Sequence, residues 1–396
     1  MPNTDQTLNL SGVSKPSQPK RVLVAMSGGV DSSVAAALLK TQGYDVVGVH
    51  MQLWDSSQTN IEKSGGSCCS VVDANDARKV CDALDIPYYV MNARDQFQHE
   101  VVDYFVNEYL QARTPNPCVM CNNKLKFSYL VRKADELKCE YVATGHYAKL
   151  MHAPDGSEVT IHKSTDPSKD QTYFLFGLTQ EQLKRALMPL GDLMKSNVRK
   201  MAETFGLPVS HKPDSQEICF IDAGGYKKFI DENAPDRFKP YGPIVNQEGH
   251  ILGRHGGLFR YTIGQRKGIG LDRPEHQDFY VIGFELKMNA LIVGPESELM
   301  RSGLVATHCN WIGLIDFSKG VRATAKIRSR AEEAACTITL LNSESIQVEF
   351  DEPQRAITAG QAIVFYQEDM MIGGGWIEGL TNPITTKLRM KGPGAA

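Results

Sequence analysis

The string Ser27-Gly28-Gly29-Val30-Asp31-Ser32-Ser33 stands between an apolar run, Arg21 to Met26, and a helical stretch from Val34 to Lys40. A strand that ends in paired glycines and re-enters the chain as a helix constrains the fold more than any other feature. Paired glycines let the backbone approach a ligand closely, and N–H groups at a helix start aim positive dipole at it. Ser27, Ser32 and Ser33 add hydroxyl donors, and Asp31 is placed to hold Mg²⁺ against phosphates. No Lys follows, so the loop is not the Walker type, and G-x-G-x-x-G is absent too. A glycine-rich turn with a serine N-cap is the plain alternative; the flanking strand and helix favour a phosphate cradle.

Beyond the loop the pattern repeats. Gly43 is placed to cap the first helix, Val46 to Leu53 reads as a second strand, and Asp73 as the N-cap of a helix to about Leu84. Ile86 to Met91 follows as a strand, Asp95 to about Leu110 as a helix, and Tyr141 to Thr144 as a further strand. Such alternation predicts an α/β domain with a parallel sheet covered on both faces, binding ligands beyond the carboxyl ends of its strands. From Tyr226 to Pro295 glycines are dense and the helical period fades. After Leu304, β-rich runs (321–327, 336–340, 346–350, 362–366) predict a small closed β-barrel. The expected division is a disordered leader (1–20), a catalytic α/β domain (21–225), a small glycine-rich middle domain (226–300) and a C-terminal β-barrel (301–396). A mitochondrial transit peptide should be Arg-rich, and no Arg precedes Arg21.

Lys+Arg 43 against Asp+Glu 46 gives a net charge of -3, which excludes a wholly basic nucleic-acid coat but leaves room for local basic faces. No apolar stretch approaches the roughly 20 residues that span a bilayer, and the N-terminus lacks a secretory pattern. Nine cysteines read as reduced thiols of a cytoplasmic chain.

Two cysteine segments stand out. Thr114-Pro115-Asn116-Pro117-Cys118-Val119-Met120-Cys121-Asn122 is interrupted by two prolines, so a rigid, non-helical turn is expected to carry Cys-x-x-Cys. Arg113, Lys124, Lys126, Arg132 and Lys133 surround it without an acid, which favours the thiolate. Cys219, between Ile218 and Phe220, is a third notable thiol, although a lone cysteine beside Ile and Phe usually reads as buried packing. Cys68-Cys69 follow Ser64-Gly65-Gly66 with no assignable role; Cys81, Cys139, Cys309 and Cys336 read as fillers.

The loop resembles the pyrophosphate loop of the ATP-pyrophosphatase superfamily, whose members adenylate an oxygen so that a nucleophile displaces AMP. Six ordered strings extend the likeness: SGGVDSSV, TPNPCVMCN, ATGHYA (143–148), KDQTYFL (169–175), DSQEICFI (214–221) and GQ…VFY (360–366). From Arg21 to about Leu380 the chain resembles the tRNA-specific 2-thiouridylase family, which thiolates position 2 of the wobble uridine in tRNAs for Lys, Glu and Gln. The resemblance implies an adenine-nucleotide alpha-hydrolase-like N-terminal domain. It places ATP, with Mg²⁺ at Asp31, on Ala25, Met26, Ser27, Gly28, Gly29, Val30, Asp31, Ser32, Met51 and Gly145, the adenine near Met51. Cys219 would take sulfur as a persulfide from a donor protein. Cys121 would attack it, passing sulfur to the adenylated base and leaving a Cys121–Cys219 disulfide. Asn116, Pro117, Cys118 and His146 would meet the base, and Lys169, Asp170, Gln171, Arg328, Ser329 and Gln361 the tRNA. The free chain is expected to be a monomer without membrane contact.

Many members carry Asp where this chain has Cys118, so no carboxylate base stands there. Cys118, Cys121 and Cys219 together form an alternative set, three thiolates for an iron–sulfur cluster or, with another ligand, zinc. Two basic groups, each alone readable as a solvated face, are together expected to meet tRNA: Lys319, Arg322, Lys326, Arg328 and Arg330, the last three expected on one strand face, and Arg254, Arg260, Arg266, Lys267 and Arg273. Other readings are a lysidine or argininosuccinate synthetase, neither of which needs two distant cysteines, and a tRNA-binding module without catalysis.

Overall fold

The computed structural model describes residues 16, 18–54, 71–214, 218–221, 224–234, 241–271 and 278–387. Most of the leader (1–15 and 17), Cys68-Cys69 and Arg273 lie outside the described residues. The first half supplies β1 (Arg21–Ala25), β2 (Asp45–Gln52), β3 (Tyr88–Asn92), β4 (Tyr141–Ala143), β5 (Lys149–His152), β6 (Val159–His162) and β7 (Ala186–Leu187). Five of them form a sheet in the order β3-β2-β1-β4-β7, every pair parallel.

Strand alternation sorts β1 between two cores. Val22 and Val24 pack with α1 (Val30–Thr41), α2 (Val71–Ala83) and the helix Lys195–Thr204. Leu23 faces the opposite cluster, which holds Phe97, Phe105, Cys121, Leu125, Phe220 and Phe229. A strand buried on both faces reads as the continuous apolar run seen in the sequence.

Two local expectations change. Asp73 lies in the first turn of α2, where its carboxylate accepts from Lys212 Nζ at 2.7 Å instead of serving as an N-cap. Pro117 begins a helical stretch that runs through Glu136, so the Cys-x-x-Cys is helical rather than in a turn. Proline at the first helical position loses no hydrogen bond and has its φ preset. Asn116 caps that start, accepting from Val119 N at 3.4 Å, and Cys121–Tyr129 is wound as π-helix.

The middle region contributes β8 (Gly242–Val245), β9 (Ile251–His255), β10 (Tyr280–Glu285) and β11 (Ala290–Gly294), ordered β10-β11-β8-β9. The C-terminal region contributes β12 (Met300–Trp311), β13 (Val321–Lys326), β14 (Ala334–Leu340), β15 (Ser345–Arg355), β16 (Ala362–Gln367) and β17 (Met370–Leu380). These six are antiparallel and close into a barrel through the β12–β17 pairing. The hairpin β5–β6 joins the same sheet, Met370 pairing with His162 and Met371 with Ile161. A shared core follows, in which Val119 and Phe127 pack with Leu150, Ile161, Ala362 and Val364.

The expected basic strand face does not form. β13 ends at Lys326, and exposed Arg328, Ser329 and Arg330 occupy the turn beyond it, where Ala331 N donates to Arg328 O. Arg322 is taken by Asp351 in a two-bond pair, Arg260 by Asp231, and Arg266 by Asp278. Among the described residues no helix is long and apolar enough to cross a membrane.

Candidate active site

The carboxyl end of β1 delivers Ser27 and Gly28 to the start of α1, as the sequence predicts. Ser27 and Ser32 hydroxyls lie 3.1 Å apart, Ser27 N donates to Ser32 Oγ at 3.2 Å, and Ser33 Oγ to Gly29 O at 2.7 Å. These bonds pin the loop around the unsatisfied N–H groups of a helix start. Gly145, just after β4, touches that start: a Cβ there would come within 2.7 Å of Ser32 N and 2.8 Å of the Asp31 carbonyl carbon.

A cavity of about 200 Å³ opens at this junction. Ala25, Met26, Ser27, Asp31, Ser32, Met51 and Gly145 line it, as do His146 and Gln171. Gly28, Gly29 and Val30 stand in the loop beside it. Val49, His50, Leu53, Lys126 and Thr144, five residues to which the sequence motifs assign no nucleotide contact, complete the wall. His146 is held by Thr144, Oγ1 to Nδ1 at 2.7 Å, and burial, with the charge of Lys126, keeps its imidazole neutral.

An ionic network underlies the loop. Lys195 Nζ lies 2.7 and 2.8 Å from the two oxygens of Asp31, and Tyr147 OH donates to Asp31 Oδ1 at 2.8 Å. The same ammonium lies 2.8 Å from Asp214, which also pairs with Lys169 at 2.8 Å and Arg199 at 2.7 Å. Burial pushes the Asp214 carboxyl up, but bonds and charge from Lys169 and Lys195 outweigh it and hold it at about 2. Lys195, Arg199 and Tyr147 carried no local signal, since their partners are distant in sequence.

Asp31 thus faces the cavity with a carboxylate that already accepts from the Lys195 ammonium and the Tyr147 phenol. Among the described residues no three of His, Cys, Asp and Glu are gathered to hold a metal ion. Cys118, Cys121 and Cys219, all described, are thus not assembled as a cluster-binding set.

The cysteines take different environments. Cys118, in the first helical turn, is exposed, whereas Cys121 is 9% exposed within the apolar cluster of the sheet. Cys219 is partly buried against that same cluster. Its neighbour Phe220 anchors it, with ring centroids 5.4 Å from Phe97, 5.3 Å from Phe105 and 5.2 Å from Phe229. In a π-helix, with about 4.4 residues per turn against 3.6 in an α-helix, positions five apart stay near one face. Cys121 and Lys126 are so related, and Lys126 lines the cavity.

Other predicted contacts have internal partners. Asp170 accepts from Ser164 N and Thr172 Oγ1, and Gln171 Oε1 from Tyr147 N. Pro117 and Asn116 are buried at the helix start, and Gln361 Nε2 donates to the carbonyls of Thr114 and Pro115.

Sheet, loop and cavity define a nucleotide-binding α/β enzyme domain. A family model described as a tRNA methyl transferase HUP domain matches residues 20–223, a PRC-barrel model of the same series 227–295, and an aminomethyltransferase beta-barrel model 301–377. The tRNA-specific 2-thiouridylase MnmA of Symbiobacterium thermophilum is 50% identical over 92% of this chain and 93% of its own. Those of Clostridium beijerinckii and Geobacter metallireducens are 48% and 47% identical, each over 91% of this chain and 99% and 97% of theirs. The chain belongs to the tRNA-specific 2-thiouridylase family.

Proposed function

We propose that this protein is an ATP-dependent tRNA-uridine 2-sulfurtransferase that thiolates the wobble uridine of tRNAs for Lys, Glu and Gln in the cytoplasm, as a monomer when free. One observation carries the reading. A single helix delivers Cys121 to the apolar cluster against which Cys219 packs, and Lys126 to the wall of the phosphate-loop cavity.

The ATP phosphates lie on Ser27 to Ser32 at the start of α1, with the adenine toward Met51. The uridine O2 attacks the α-phosphorus, pyrophosphate leaves, and the C2–O bond becomes a good leaving bond. Lys126 and the helix start offset charge that develops on the phosphate. Cys219, loaded as a persulfide by a donor protein, is attacked by the Cys121 thiolate. The S–S bond to the outer sulfur breaks, a Cys121–Cys219 disulfide forms, and the released sulfide displaces AMP from C2. A reductant then restores both thiols. Neutral His146 accompanies the base without adding charge. Exposed Arg328 and Ser329, with Arg254 and Lys267, contact tRNA phosphates.

The test is the stoichiometry of AMP and pyrophosphate release with ATP, a persulfide-bearing donor protein and unmodified glutamate tRNA. The expected result is one AMP per thiouridine and no release without tRNA. AMP formation driven by ammonia or an amino acid would overturn the reading in favour of another ligase.

A further inference from the structure

We propose that the C-terminal barrel sets the presentation of Cys121 through the turn 358–361, with Gln361 as the positioning residue. The inference rests on the reading that Cys121 is the acting thiol and adds how that thiol is aimed.

Three backbone groups just before the Cys121 helix, Thr114 N, Thr114 O and Pro115 O, are held by the barrel. Thr114 N donates to Ala359 O at 2.9 Å. Gln361 Nε2 donates to Thr114 O at 3.1 Å and Pro115 O at 3.2 Å, which engages both of its hydrogens within the chain. Arg113, with a side chain 16% exposed, pairs with Glu108 at 2.8 Å and with Glu378 of β17 at 3.0 Å. Asn116 then caps the helix, and one turn further Val119 is buried against Ala362 and Val364 of β16.

Gly360 shows that this contact is built closely. Its φ of +87° is a left-handed conformation that suits glycine, and a Cβ there would come within 2.9 Å of Thr114 O and 2.8 Å of Glu108 Oε2. From Pro115 the chain reaches Cys121 in six residues, five of them in the capped helix, so a shift of the turn moves the thiol. The surface proposed to seat tRNA and the segment that carries the thiol thereby belong to one hydrogen-bonded body. A Gln361 that served only as a tRNA contact would have no need of these two carbonyls.

The experiment is alkylation of the full-length protein by iodoacetamide without tRNA or ATP, followed residue by residue by mass spectrometry. The reading is the rate at Cys121 divided by the rate at Cys139, a buried thiol remote from the turn. Gln361→Glu is isosteric but cannot donate to a carbonyl, and Gly360→Ala forces the turn away from Thr114. Loss of two hydrogen bonds should raise local opening, and with it this ratio, about 5- to 30-fold in both variants. General loosening raises both rates together. An unchanged ratio in both variants overturns the proposal, whatever happens to tRNA affinity. No turnover is needed, so failure here leaves the sulfur-transfer reading standing, and failure of that reading is detected separately as lost thiouridine.

Discussion

Lys195 binds Asp31 through both carboxylate oxygens while holding Asp214 at 2.8 Å, so one ammonium joins the phosphate loop to the segment that leads to Cys219. Lys195 is 9% exposed, and its removal leaves two carboxylates without their shared ammonium beside the proposed ATP site. Lys195→Met should lower stability by about 2–3 kcal/mol in urea unfolding and weaken ATP binding at least about tenfold. Adding Asp214→Asn should recover part of the stability. Unchanged ATP affinity in the single variant would show that the ammonium serves the fold alone.

His146 is one source of pH dependence, alongside His152, His162 and His255, which burial also shifts down. Burial, then the nearby charge of Lys126, lowers the folded pKa of His146 well below the ordinary 6.5. The unfolded chain therefore binds a proton that the folded chain refuses, and stability is lost as pH falls below 6.5. His146→Gln should remove that component. Urea midpoints at pH 7.5 and 5.5 should differ less in the variant than in the wild type.

Gly145 tests the junction of β4 with the loop. A Cβ 2.7 Å from Ser32 N must displace the start of α1. Gly145→Ala should cost about 1–3 kcal/mol and weaken ATP binding more than tRNA binding. Equal loss of both would point to general unfolding.

Arg328 tests the turn after β13. Arg328→Glu should weaken tRNA binding, reduce the slope of log affinity against log salt by about 1, and leave ATP binding unchanged. A change in ATP binding alone would contradict its assignment to tRNA.

The phosphate loop was legible because its strand, glycines and helix are contiguous, and the alternating burial of Val22, Leu23 and Val24 follows directly from the strand period. The Cys-x-x-Cys helix was misread because two prolines suggest a break, whereas Pro117 occupies the one helical position that tolerates it. The basic strand face failed because β13 stops at Lys326, before the i, i+2 argument can reach Arg328. Lys195 with Asp31 and Asp214, the β5–β6 hairpin on the barrel, and the hold of Gln361 on Thr114 all join residues far apart in sequence. Their energies arise only after folding has brought the partners together, so no local period announces them.

The most direct test of sulfur transfer is single-turnover thiolation of unmodified glutamate tRNA, with ATP, Mg²⁺ and a persulfide-bearing sulfur-donor protein, by the wild type and by Cys121→Ser, Cys219→Ser and Cys118→Ser. The account predicts that thiouridine requires Cys121 and Cys219 and persists without Cys118. Equal loss in all three variants, with iron bound to the wild-type protein, would contradict the persulfide relay.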